Sequence, residues 1–168
     1  MPIIPRTAWD QSKTQPTGLK SHTDGKITNI VIHHTQTPNE AAEKAPGRIA
    51  SIRRTHTEER GWKDIAYHYF IAPDGKLYKG RDDRFQADTG APYPLDGTLT
   101  VTLLGDFRET LPSEAARETL VKFIRWQLGV QGLKPSAVST HGRKGNSTCP
   151  GAKFQTWLDE TGKARFSD

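Results

Sequence analysis

The segment IVIHHT, residues 30–35, places two histidines at the end of a run of β-branched apolar residues. Short apolar runs rich in isoleucine and valine are typical of buried strands, so we predict a strand over residues 27–33. Side chains at the end of such a strand can project from a rigid sheet edge into a cleft. Because adjacent strand residues face opposite sides of a sheet, only one of His33 and His34 should reach a site there, and periodicity does not decide which.

A second segment with the chemistry of a metal site is HGRKGNSTCPG, residues 141–151. It carries His141 and the chain's single cysteine, Cys149. Together with one imidazole from the strand end, they make a three-ligand set, which suits a catalytic zinc that keeps its fourth position open for water. A structural zinc would need a fourth protein ligand, and the chain has no second cysteine. Each of these residues taken alone is also compatible with ordinary packing.

Length and composition limit the possible classes of protein. The 168 residues fit one domain with one core, and a single cysteine excludes an intramolecular disulfide. A formal net charge of +5 favours anionic partners. The basic residues are scattered, however, and short pairs such as Arg53-Arg54 and Arg143-Lys144 lack interleaved aromatics. Nucleic acid is therefore not expected as the main partner.

Neither a membrane anchor nor an export signal is predicted. No stretch approaches the roughly 18 apolar residues of a membrane span. The segment from Met1 to Trp9 lacks a basic region followed by an apolar one. We therefore expect synthesis in the cytoplasm without a signal peptide, no membrane insertion, and export, if any, by another route. The chain is expected to act as a monomer.

Apolar runs and turn formers along the chain predict an α/β fold. Strands are expected at 64–72, 76–79, 99–104 and 137–140. Helices are expected at 46–60, at 113–128 with Gly129 as the stop, and after Pro150. They predict a single domain with a central mixed β-sheet of about five strands packed by about three α-helices. Residues 1–26 are polar and rich in turn formers, so they are predicted to form an irregular arm packed on the domain of residues 27–168.

The sequence also indicates roles for other aromatic and imidazole side chains. His22 lies in the polar arm and is predicted to be solvated, whereas His56 falls on a helix face and is predicted to be a packed residue. Tyr67 and His68 fall in a predicted strand that can neighbour the strand of His33. The Tyr67 hydroxyl can orient a reacting water or hydrogen-bond a developing oxyanion, but a half-buried sheet aromatic is an equal interpretation.

Five blocks of this sequence, in this order, resemble one known family. They are IVIHHTQT (30–37), GWKDIAYHYFI (61–71), PDG with GRD (73–75 and 80–82), LLGDF (103–107), and His141 with Cys149-Pro150-Gly151 and Phe154. Together they resemble the type 2 zinc-dependent N-acetylmuramoyl-L-alanine amidases, a class that includes phage lysozyme-like amidases and peptidoglycan recognition proteins. The opening IPRTAW (4–9) is similar to the arm before this domain in many members. The resemblance covers residues 3–158.

The resemblance implies roles for individual residues. It implies that one Zn²⁺ ion is held by His33, His141 and Cys149, and that Tyr67 is a catalytic residue. Ser147 stands where phage-type enzymes have a lysine, so we expect its hydroxyl to assist an oxyanion without adding charge. Substrate contacts are expected from His34, Thr35 and Lys144.

Two further positions depart from the family pattern. Residues 87–91 lack the histidine that many members direct at the substrate, and the strand end at Leu103-Leu104 lacks the glutamate that some wall-recycling members use as a base. Proton transfer would then fall to the zinc-activated water assisted by Tyr67.

The expected function is zinc-dependent hydrolysis of the amide between N-acetylmuramic acid and L-alanine in peptidoglycan or a muropeptide. One alternative is a recognition module of the same fold that binds peptidoglycan without cleaving it. Another is a metal-free cysteine hydrolase with Cys149 as nucleophile and His141 as base. An endolysin-like role at the cell wall after release or export is consistent with the missing leader, and so is a cytosolic role. The absent glutamate makes wall recycling the less favoured setting.

Overall fold

The protein is built on one six-stranded mixed sheet. The computed structural model describes residues 1–12, 16–90 and 92–167. Their strands are β1 Ile3–Ile4, β2 Asn29–His34, β3 Tyr69–Ile71, β4 Leu77–Lys79, β5 Thr98–Leu103 and β6 Val138–Thr140. The order across the sheet is β1-β4-β3-β5-β2-β6, with β3 and β4 antiparallel and the other neighbours parallel. The predicted mixed α/β architecture is confirmed.

The strand that carries the two histidines lies inside the sheet. β2 pairs along its whole length with β5, from Asn29 opposite Thr98 to His34 opposite Leu103. On its other side, residues 30–32 pair with β6. Five of its six residues are buried, as expected for a parallel strand covered on both faces. The end of β2 is therefore a fixed point from which side chains can be aimed.

Helices cover both faces of the sheet. They are α1 Ala45–Arg54, which continues as a π-helical turn over Thr55–Glu59, α2 Glu114–Gln131, α3 His141–Gly145 and α4 Ala152–Trp157. On one face α2 and α4 pack their apolar side chains, Phe123 and Phe154 among them, against Ile30 and Ile32. On the other face Ile49 of α1 packs with Ile65 and Phe70. None of the described helices combines the length and apolar character needed to cross a membrane.

Local contacts explain where the predicted boundaries differ from the observed ones. The predicted strand at 64–72 is regular only over Tyr69–Ile71, because the buried Arg81 guanidinium donates to the carbonyls of Asp64 and Ile65 and holds that stretch as a loop. Helix α2 runs past Gly129 and stops at Gly132, whose φ of 64° gives the left-handed cap.

The amino-terminal arm is less irregular than predicted. Ile3 and Ile4 form the edge strand β1 beside β4, and the Trp9 indole donates to the Lys79 carbonyl at 2.7 Å. The prediction that His22 is solvated is wrong. The residue is 5% exposed, and its Nδ1 accepts a hydrogen bond from the Gly97 amide at 2.8 Å. Arm and sheet are thus joined by specific contacts.

Candidate metal centre

Three side chains converge at the end of β2. His33, His141 and Cys149 each offer one ligand atom, and these atoms lie within 4.8 Å of one another. The two imidazole rings have centroids 4.8 Å apart. Nδ1 of His33 lies 3.6 Å from the Cys149 sulfur. Residues separated by more than a hundred positions in the chain thus form one compact group of ligand atoms.

The pleat of β2 decides which histidine of the pair belongs to this group. Ile30 and Ile32 face the core under α2 and α4, and His34, two residues further on, turns to the same side. There its Nδ1 accepts a hydrogen bond from the Phe107 amide at 3.2 Å. His33 faces the opposite side. The structure therefore does not bring His34, which was expected to contact substrate, to the site surface, because its ring is buried in the core.

Short-range hydrogen bonds shape the segment that carries the other two ligands. The Thr140 hydroxyl caps α3 by accepting from the Arg143 amide, which fixes the start of the helix at His141. At the far end of the segment, the Gly142 amide donates to the Cys149 carbonyl at 2.7 Å. The predicted loop after β6 is therefore a short helix and a turn closed on each other.

Burial keeps the group uncharged in the absence of an ion. Burial raises the pKa of the Cys149 thiol to about 12, against a small opposing effect of the His34 amide. Burial also holds the pKa of His33 well below its usual range, with the nearby His141 acting in the same direction, and it lowers the pKa of His141. Neutral imidazoles are metal ligands as they stand, whereas the thiol must lose its proton on binding.

The donor set and its spacing fit a zinc ion. With Zn–S near 2.3 Å and Zn–N near 2.0 Å, tetrahedral geometry separates sulfur and nitrogen by about 3.5 Å. The His33 Nδ1 to Cys149 sulfur distance of 3.6 Å agrees with that value. One thiolate and two imidazoles are ligands that zinc favours, and three protein ligands leave a position for a water or a substrate.

An open cleft adjoins this group. It has a volume of about 200 Å³, and its lining includes Thr35, Trp62 and Tyr67. The Tyr67 ring lies 5.2 Å from the His33 ring. Burial raises the pKa of Tyr67, so its phenol keeps its proton at neutral pH and can donate a hydrogen bond.

Comparison with known proteins assigns the family. The family model described as N-acetylmuramoyl-L-alanine amidase (Amidase_2) matches residues 23–152, which is most of the chain and includes all three candidate ligands. The chain belongs to the Amidase_2 family. The resemblance found in the sequence motifs is confirmed.

Curated relatives of this Amidase_2 chain carry two kinds of name. Peptidoglycan-recognition protein 1 of Holotrichia diomphalia is 30% identical over 124 residues, covering 71% of this chain and 61% of that protein. N-acetylmuramoyl-L-alanine amidase of Mus musculus is 28% identical over 123 residues, covering 70% of this chain and 22% of that protein. The chain spans about three fifths of the length of several recognition proteins that it matches, among them protein 1 of Mus musculus and protein LB of Drosophila melanogaster.

Solved structures share the fold of this family member. The crystal structure of Drosophila peptidoglycan recognition protein SD superposes with a TM-score of 0.84 at 22% sequence identity. The match covers 95% of this chain and 94% of that one. At 22% identity, the similarity shows that the two chains share a fold.

The other residues predicted for the site are spread around it. Thr35 lines the cleft, and its hydroxyl lies 2.8 Å from that of Thr37. Lys144 is exposed on α3. The Ser147 hydroxyl accepts a hydrogen bond from the Cys149 amide at 3.2 Å, so it supports the turn that presents the sulfur. Ser147 lines a second depression, whose walls also include the ligand Cys149 and the basic residues Arg108 and Arg143.

Two side chains near the site were not assigned to it from the sequence. The predicted packing of His56 is confirmed, because it is buried and its Nδ1 accepts from the Ala66 amide at 3.0 Å, but it also lines the cleft. Tyr93 was passed over as part of a long loop. Its hydroxyl lies 2.9 Å from Nε2 of His33, although 60 residues separate the two in sequence. Only the folded chain brings them together.

Proposed function

We propose that this protein is a zinc-dependent amidase that cleaves the bond between the lactyl group of N-acetylmuramic acid and the L-alanine of the peptidoglycan stem peptide. The observation that carries the proposal is the complete set of His33, His141 and Cys149 beside an open cleft. Membership of the Amidase_2 family supports the same substrate class. We assign the activity to residues 27–168, with the arm of residues 1–26 packed on them.

The ligand residues and Tyr67 have different roles in the proposed reaction. His33 and His141, through neutral nitrogens, and Cys149, as a thiolate, would hold a zinc ion. When bound, the ion would supply Lewis-acid chemistry towards water and a carbonyl. Tyr67 donates a hydrogen bond to the oxygen of the scissile carbonyl as negative charge develops on it. We assign Ser147 as a second donor, because the hydrogen bond from the Cys149 amide to its oxygen holds the hydroxyl group two residues before this ligand.

The walls of the cleft suit an acidic peptide. Arg60 lines it with its guanidinium stacked over the Trp62 ring at 5.0 Å, and Arg48 lines it while paired with Glu40. Stem peptides carry free carboxylates, which arginine binds well. We propose that the peptide lies along this wall, with Thr35 contacting it near the reacting bond. Lys144, exposed on α3, is available to the glycan side or to polymer charges.

The same experiment distinguishes two alternative functions. A recognition module without hydrolysis is supported by the recognition proteins among the relatives. A metal-free cysteine hydrolase is disfavoured, because a buried thiol with a pKa of about 12 is protonated and poorly nucleophilic at neutral pH.

The test is digestion of purified peptidoglycan by zinc-loaded and by chelated protein, with products identified by mass spectrometry. The proposal predicts soluble stem peptides with a free L-alanine amino terminus, released only when zinc is present. Sedimentation with peptidoglycan and no cleavage in either state would establish the recognition module. Cleavage that survives chelation but not alkylation would establish the cysteine hydrolase.

Two variants separate metal binding from chemistry. His141→Ala should lose most bound zinc and all measurable turnover while keeping the far-ultraviolet circular dichroism spectrum. Tyr67→Phe should keep zinc and lose roughly 10²-fold in kcat, the scale of one oxyanion donor. Lys153→Ala, an exposed substitution on the neighbouring α4, is the control variant. Its zinc content and turnover should equal those of the unmodified protein. Normal lysis by His141→Ala would contradict the metal role.

A further inference from the structure

The second nitrogen of His33 has a specific partner. Nδ1 faces the Cys149 sulfur, so Nε2 is the nitrogen directed away from that sulfur. Nε2 lies 2.9 Å from the hydroxyl oxygen of Tyr93, within a buried contact. A nitrogen that binds a metal must present its lone pair, so the ring proton then resides on the other nitrogen. Tyr93 is consequently placed to accept a hydrogen bond from His33 Nε2–H.

Tyr93 also contacts the second imidazole of the group. Its ring meets the His141 ring edge-on, with centroids 5.6 Å apart. The adjoining loop packs against α3, since a Cβ added to Gly145 would lie 3.2 Å from Pro92. One side chain therefore touches two of the three ligands, by a hydrogen bond to one and by ring packing to the other.

The backbone around Tyr93 is anchored to the sheet. The Thr98 hydroxyl at the start of β5 donates to the Pro94 carbonyl at 2.9 Å. The Gly97 carbonyl accepts from the amide of Thr28, and the Gly97 amide donates to His22. Tyr93 itself is only 6% exposed. Its hydroxyl is thus held by the fold and does not depend on a bound ligand for its position.

We propose that Tyr93 is a positioning residue of the metal centre, whose hydroxyl fixes the His33 tautomer that presents Nδ1 to zinc and whose ring limits rotation of His141. The proposal rests on the metal site of the proposed function and not on hydrolysis. Partners of this kind on metal-bound histidines commonly contribute 10- to 100-fold to metal affinity. A phenol is an uncharged acceptor, so Tyr93 orients His33 without placing another negative charge beside the thiolate.

The test compares two tyrosine-to-phenylalanine variants. Tyr93→Phe keeps the ring and removes the hydroxyl. Tyr69→Phe is the matched control, because Tyr69 is also buried and its hydroxyl donates to Asp83 at 2.6 Å, in the core away from the ligands. Zinc dissociation constants are measured by competition with a chromophoric chelator, and histidine tautomers by long-range proton–nitrogen NMR spectra of the metal-free proteins.

We expect Tyr93→Phe to weaken zinc binding by 10-fold or more and to replace the single His33 Nε2–H tautomer by a mixture. Tyr69→Phe should lose stability but keep zinc affinity within about twofold, so that destabilisation alone cannot account for the result. Equal zinc affinity and an unchanged tautomer in Tyr93→Phe would overturn the role of Tyr93 while leaving the amidase proposal intact. Absence of zinc uptake by the unmodified protein would overturn the metal site and this role together.

Discussion

The two sides of the candidate metal centre are built in different ways. His33 belongs to β2, which is hydrogen-bonded to a strand on each side and buried on both faces. His141 and Cys149 belong to the segment of residues 141–151, a short helix and turn at the surface of the sheet. We call these the strand side and the loop side.

The contrast shows where the geometry of the site comes from. On the strand side, the position of His33 follows from the same burial that stabilises the whole domain. On the loop side, it follows from a few local hydrogen bonds, such as that from the Gly151 amide to the Thr148 carbonyl at 2.7 Å. Elements with few buried apolar contacts open more readily than core strands. The loop side should therefore be the part that loosens first and gains most from a bound metal.

The largest effect should come from a methyl group placed on the loop side. Gly151 has φ of 103°, and a Cβ there would overlap the Phe107 carbonyl group and lie 2.6 Å from the Arg108 nitrogen. Gly151→Ala should therefore lower the free energy of unfolding by about 3 kcal/mol and weaken zinc binding by displacing Cys149. Urea unfolding with and without zinc measures both effects.

Gly129 gives the matched control for that substitution. It lies inside α2 with nothing within 4 Å of an added Cβ. Gly129→Ala should stabilise the protein by roughly 0.5–1 kcal/mol, as alanine does in helix interiors, and leave zinc affinity unchanged. If Gly151→Ala were as stable as Gly129→Ala, the turn would have room to shift, and the loop side would be less constrained than its contacts indicate.

The same contrast explains what could be predicted from the sequence. Local patterns were sufficient for β2, α2 and the residue types of the candidate metal group, because apolar periodicity and residue chemistry are readable within a short window. The choice between His33 and His34 was not readable, since Ile30, Val31 and Ile32 are all apolar and both faces of the strand are covered. The family resemblance, and not periodicity, supplied that choice.

The missed features share a physical cause, which is a partner far away in the chain. His22 was assigned to solvent because its segment is polar, but its partner is the Gly97 amide, 75 residues further on. Ile3 and Ile4 form a strand only because β4 offers them an edge. Tyr93 lies in a loop whose sequence gives no indication of the His33 ring. Such contacts depend on the tertiary fold, so no local pattern predicts them.

Lowering the pH should test how firmly the strand side is held in place. His68 precedes β3, and its Nδ1 accepts from the Thr100 amide of β5 at 3.0 Å, which fixes the segment next to Tyr67. Burial lowers the pKa of His68 to about 4, outweighing the opposite effect of Asp83. The unfolded chain, with a histidine pKa near 6.5, binds the proton first, so stability is full above about pH 6.5 and is lost as the pH falls towards 4. We expect a loss of about 2 kcal/mol from this residue between pH 7 and pH 5.

Urea unfolding of the metal-free protein at pH 7, 6 and 5 measures this loss. His68→Gln should be less stable at pH 7 and should show a shallower dependence on pH. Part of the slope should persist, because burial also lowers the pKa values of His34 and His56 to about 4. An unchanged slope in His68→Gln would mean that other groups carry the acid sensitivity and that this contact does not hold the strand side.

The smallest effect should come from the ion pair that ties α3 to the carboxyl-terminal segment. Asp159 accepts hydrogen bonds from Arg143 at 2.7 Å and from Gln155 and Lys163. Partial burial raises the pKa of Asp159, but these donors outweigh it and bring the pKa to about 2, so the carboxylate is charged at any working pH. Asp159→Asn should lower stability by less than about 1 kcal/mol, because the pair is exposed to solvent. It should also weaken zinc binding two- to threefold, through a looser α3, and both differences should shrink in high salt.

Asp82→Asn, which breaks an exposed pair with Arg84, is the control and should leave zinc binding unchanged. Equal zinc affinities in the two variants would mean that the cap at Thr140 and the Gly142 to Cys149 hydrogen bond hold the loop side without help from this pair.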